Sequence, residues 1–63
     1  MRTEIHINMD NAAFGENPDW EVGRILRELA KRIEGHPHFS AGHDQALRDI
    51  NGNEVGRCDV YDS

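Results

Sequence analysis

Apolar residues recur along this chain with two different periods. Between positions 18 and 34, Val22, Ile25, Leu26, Leu29, Ala30 and Ile33 follow one another at spacings of 3, 1, 3, 1 and 3. That is one stripe at helical period, and it predicts an amphipathic helix over Pro18–Glu34. Asn17 stands before it as an N-cap, expected to accept from first-turn amides. Pro18 suits the first helical position, where its missing N–H costs nothing. Asp19 and Glu21 place negative charge at the positive end of the helix dipole. Gly35 is expected to stop the helix in a left-handed conformation. Glu28 and Arg32 are spaced for an ion pair along the helix, and Trp20 is expected to flank the apolar stripe as packing.

The second period is that of a strand. Over residues 3–9, Ile5, Ile7 and Met9 alternate with Glu4, His6 and Asn8. Asp10 and Asn11 end the run, and Ala12-Ala13-Phe14 is expected to lay Phe14 over an edge of the core. Residues 36–44 contain Pro37 and Gly42 and read as a loop. Residues 46–50 and 54–61 are strand-like, joined by the hairpin signal Asn51-Gly52-Asn53. Gly56 suggests a bulge or a close approach of another backbone. Leu47, Cys58 and Val60 can face the helix; Ile50 and Val55 fit that face less well, which leaves the hairpin register open. The order is β-α-β-β. It predicts one α+β domain over residues 1–63, with one amphipathic helix packed on a three-stranded, mostly antiparallel sheet of spatial order 2-3-1. The expected core is Ile5, Ile7, Leu26, Leu29, Ile33, Leu47 and Val60.

Length sharpens this picture. A chain of 63 residues buries only about 60% of the surface its unfolded form exposes, so its stability margin is thin. Cys58 is the only cysteine, which rules out an intrachain disulfide staple. No segment approaches the roughly 20 apolar residues of a membrane span, and nothing reads as a signal peptide. With one free thiol, a reducing cytoplasm is the expected compartment.

The formal net charge is −5, which argues against direct nucleic-acid binding. Its placement says more. Within the helix, Asp19, Glu21, Glu28 and Glu34 balance Arg24, Arg27, Lys31 and Arg32. The acidic excess therefore belongs to the strands and loops. The helix cations read as an exposed, salt-bridged face rather than a phosphate site.

Few residues suggest chemistry. His36, His38 and His43, with Asp44 beside them, are imidazole-rich enough to raise zinc, but their spacing matches no closed structural pattern, and a solvated loop is the plainer reading. Cys58 with a histidine lacks any visible orienting group and reads as a buried apolar thiol. Glu4, Asp49 and Asp59 are expected together on the open sheet face, where a flat surface offers no cleft for acid–base work. Tyr61 is the best candidate for an exposed aromatic anchor. No catalytic residue, metal or cofactor is expected.

Three segments carry a resemblance. Asn11-Ala12-Ala13-Phe14, then Glu21-Val22-Gly23-Arg24-Ile25-Leu26-Arg27-Glu28-Leu29-Ala30, then Leu47-Arg48-Asp49-Ile50-Asn51-Gly52-Asn53-Glu54-Val55-Gly56 resemble small phage and prophage proteins that read NAAF, EVARILRKLA and LRDxNGNxVG in the same order. The chain departs from that pattern at Gly23, where alanine is usual, and in its longer histidine-containing loop. The resemblance implies a cytoplasmic protein made during infection or lysogeny, and no activity. Together with the acidic excess, it leads to an expected function. The chain would be a non-enzymatic protein that binds a host protein, one that handles nucleic acid, as an anti-CRISPR or anti-restriction inhibitor. Glu4, Asp49, Asn51, Asn53, Glu54, Asp59 and Tyr61 are the expected contact residues. The alternatives are a structural or regulatory homo-oligomer, such as a homodimer paired through the open sheet face or the third strand, and a small zinc-binding protein.

Overall fold

The computed structural model describes residues 1–35 and 38–63. Its elements are β1 (Arg2–Ile7), a short 3-10 turn (Ala12–Phe14), α1 (Pro18–Glu34), β2 (Asp44–Arg48) and β3 (Glu54–Tyr61). The fold is α+β: one helix lies on a fully antiparallel sheet of order β1-β3-β2. Among the described residues, no helix is long and apolar enough to cross a membrane.

Strand pairing fixes the two faces of the sheet. Ile5 lies opposite Cys58 and Ile7 opposite Gly56, while Gln45 and Leu47 flank the same two β3 residues from β2. These side chains point toward α1. Residues between them in sequence form the outer face. Leu47 pairs with Gly56 but Arg48 pairs with Glu54, so Val55 is an extra residue in β3. This bulge turns Val55 into the core, where it is buried. At Gly56 a Cβ would run into the His6 carbonyl, so β1 approaches β3 closely only because no side chain stands there.

The core differs from the periodicity-based expectation. Phe14, Ile25, Leu29, Leu47, Val55 and Cys58 form it, and Ile7, Ala13, Val22, Ile33 and Phe39 pack against it. Val60 is also buried, but Ile5 and Leu26 are 45% and 40% exposed. The reason is where the helix sits. Arg24 donates to the Arg48 carbonyl at 3.0 Å and Arg32 to the Ala46 carbonyl at 3.3 Å, so α1 leans over β2. Its opposite flank, with Leu26, and the β1 edge, with Ile5, are left half open. Trp20 is 52% exposed on the solvent side and packs less than its position suggested.

Several local expectations are corrected. Asn17 occupies the N-cap, but its side chain makes no capping bond. Gly35 is right-handed, with φ −87°, and its N–H closes the helix on the Lys31 carbonyl at 3.0 Å. Glu28 pairs with Arg24 at 3.1 Å instead of with Arg32. β1 ends at Ile7, and β2 spans Asp44–Arg48, not residues 46–50. In the hairpin, Gly52 has φ +86° and no other residue of the turn is left-handed. The Gly52 N–H closes it on the Asp49 carbonyl at 3.0 Å.

Candidate functional site

Two polar groupings stand out, one inside the fold and one on the open face of the sheet. The inner one gathers the segments that carried the resemblance. Asp49 is buried at the start of the β2–β3 turn. One of its oxygens accepts from the Asn51 and Asn53 N–H groups, both at 2.9 Å. The other accepts from the side chains of Asn11 at 2.7 Å and Asn53 at 3.2 Å. Burial pushes the Asp49 carboxyl up, but the hydrogen bonds from Asn53, Asn11 and Asn51 outweigh it and hold the carboxyl below its ordinary range.

Glu21 completes the arrangement from the helix. It is fully buried and accepts from the Ile50 N–H at 2.7 Å and from the Arg24 Nε at 2.7 Å. The Arg24 guanidinium is the main cause that lowers the Glu21 carboxyl, and Glu21 in turn raises Arg24. Among the described residues, every buried side-chain nitrogen and oxygen has a partner. Both oxygens of each carboxylate here are partnered by groups of the same chain. The grouping is a clamp that ties the turn after β1, the start of α1 and the β2–β3 hairpin together.

The expected contact set therefore divides. Asp49 is no surface carboxylate, and both N–H donors of Asn53 used here point inward at it. Asn51 stands exposed at the hairpin tip. Glu4, Glu54, Asp59 and Tyr61 belong to the outer face, and the structure adds Asp44. Glu4 lies opposite Asp59, and Asp59 opposite Asp44, so three carboxylates form one row across all three strands. Like charges in directly opposed positions repel.

Arg57, in the next row of β3, offsets this in part. Its guanidinium lies 2.8 Å from Asp44, 3.6 Å from Glu54 and 3.9 Å from Asp59. Glu4 is held below its ordinary range by the Arg2 side chain, at 2.7 Å, and by His6. At the end of the row a shallow groove of about 320 Å³ is lined by His43, Asp44, Asp59, Tyr61 and Asp62 among others. Arg2 covers one face of the Tyr61 ring, 4.7 Å from its centroid. Asp44 and Asp62 were not among the expected contacts. The hairpin register is what brings Asp44 beside Asp59, and the sequence left that register open.

The remaining candidates resolve simply. Cys58 is completely buried, and burial, with Asp59 adding to it, pushes its thiol up, away from a reactive thiolate. His36 lies outside the described residues. His43 sits 2.9 Å from the Gln45 amide and 5.3 Å, ring to ring, from Phe39. Among the described residues, no three His, Cys, Asp or Glu side chains converge as metal ligands would. Compared with family models, with curated proteins and with solved structures, the chain has no match in any of the three.

Proposed function

We propose that this chain is a small, non-enzymatic protein-binding module that docks its outer sheet face onto a basic surface of a partner protein. The row Glu4–Asp59–Asp44 carries the reading. Three carboxylates stand directly opposed in one row, offset only by Arg2, His6 and Arg57 beside them, and a binding face is a reason to keep them together. Asp62 and Tyr61 extend the row into a groove that suits an arginine or lysine side chain. The helix offers no competing charged face, because its acids and bases offset one another.

A partner that handles nucleic acid presents the matching basic channel. In the sharp form, the protein is an anti-CRISPR or anti-restriction inhibitor encoded by a phage and acting in the host cytoplasm. The resemblance of its motifs and its net charge of −5 support that form.

The test is capture of a partner from bacterial lysate at low and at high salt. The expected result is one specific protein that binds at low salt and is released as salt rises. Capture that ignores salt, or no specific partner at all, contradicts the reading. Restored phage plating on cells with an active CRISPR or restriction system, when the chain is expressed there, distinguishes the sharp form.

A further inference from the structure

We infer that two copies of this chain join through β1, edge to edge and antiparallel, into one six-stranded sheet with Ile5 at the two-fold axis.

The sheet has two edges, and the chain treats them differently. Along β2 the outward carbonyls of Ala46 and Arg48 accept from Arg32 and Arg24 of the helix. That edge is covered by long cationic side chains, a common way to block strand addition. β3 is central, so it cannot take a further strand. β1 is the remaining edge.

The Asn8 N–H donates to the Val55 carbonyl at 2.7 Å, which places the even-numbered residues of this strand against β3. The N–H and C=O groups of Thr3, Ile5 and Ile7 therefore point outward. Among the described residues, none of these groups takes part in a hydrogen bond outside the sheet ladder. The apolar surface beside this edge is open as well. Ile5 is 45% exposed on the helix side of β1, and Leu26 is 40% exposed on the helix flank opposite Arg24.

The self-complementary run Thr3–Ile7 selects the second copy as the occupant, and the pairing of all its outward groups sets the register. In an antiparallel pair with Ile5 opposite Ile5, Thr3 meets Ile7 and Glu4 meets His6 of the other copy. The outward groups of Thr3, Ile5 and Ile7 then pair completely. A slip of two residues one way opposes Glu4 to Glu4; the other way opposes His6 to His6. Only the centred register places a carboxylate against an imidazole on both sides of the axis, and it brings the two half-exposed isoleucines together. The edge is short, so the dimer forms at high micromolar protein rather than at nanomolar. The inference rests on the β1 edge and shares only Glu4 with the proposed docking row, so the Ile5 variant, which leaves that row unchanged, separates it from partner binding.

Sedimentation equilibrium on the full chain up to about 1 mM tests it. The expected result is a reversible monomer–dimer equilibrium. Ile5→Pro removes an outward N–H that β3 does not use, and it should leave a folded monomer. His6→Glu should weaken the dimer on the order of tenfold, because the change counts twice across the axis. Adding Glu4→Lys to His6→Glu should restore it, which a loss of folding could not do. A chain that stays monomeric throughout this range overturns the inference. So does a dimer that survives His6→Glu undiminished, or one that persists in a folded Ile5→Pro variant.

Discussion

Asp49 shows how one side chain can be mistaken for a surface acid. In sequence it follows Arg48 and stands two residues before Asn51, in the company of turn residues. In the fold its two oxygens take four hydrogen bonds from Asn11, Asn51 and Asn53. Asp49→Ala would leave those buried donors without an acceptor. The thermal midpoint, followed by circular dichroism, should fall by roughly 10 °C or more. Asn51→Ala removes a side chain that gives nothing to the clamp and should leave the midpoint nearly unchanged. Two glycines should respond in opposite directions. Gly56→Ala collides with the His6 carbonyl and must push β1 off the sheet. Gly23→Ala meets only the movable end of Arg27, at 3.3 Å. It should stabilise the helix by about 1 kcal/mol, or roughly 4–8 °C. The motif pattern was legible in the sequence as a set of linked residues. Its role was not, because spacing cannot show that Asn11 and Asp49, separated by 38 positions, share a hydrogen bond.

The helix, the hairpin and the third strand were readable from period and turn chemistry. The helix bounds and the sheet order follow from the apolar stripe and the short connections. What periodicity could not supply is the offset of the helix toward β2, which comes from Arg24 and Arg32 reaching the strand carbonyls. For that reason Ile5 and Leu26 were expected inside and lie half open. The join between helix and hairpin also carries a pH dependence. Glu21 and Asp49 have ordinary values of 4.5 and 3.8, and both are lowered in the fold. The unfolded chain therefore binds protons more readily than the folded one. Stability from these groups is complete above their ordinary values and is lost as pH falls through the folded values. Urea unfolding at pH 7, 4 and 3 should show a steady decline below about pH 4.5. Glu21→Gln should be less stable at pH 7 and should lose less on acidification. An equally steep acid loss in that variant would remove Glu21 from the account.

At the scale of the whole molecule, the division of labour is between a clamp that holds the elements and a face that holds charge. A chain this small has little stability to spare, yet it keeps Glu4, Asp59 and Asp44 in one row. The most direct measurement compares capture of the partner protein by three forms at low salt. These are the unaltered chain, an Asp44→Asn/Asp59→Asn variant, and an Arg27→Ala/Lys31→Ala variant of the helix surface. The sheet variant should stay folded, with a midpoint close to that of the unaltered chain, and lose the partner. The helix variant should keep the partner. Capture retained by the sheet variant, or lost only in the helix variant, would contradict docking through the sheet face.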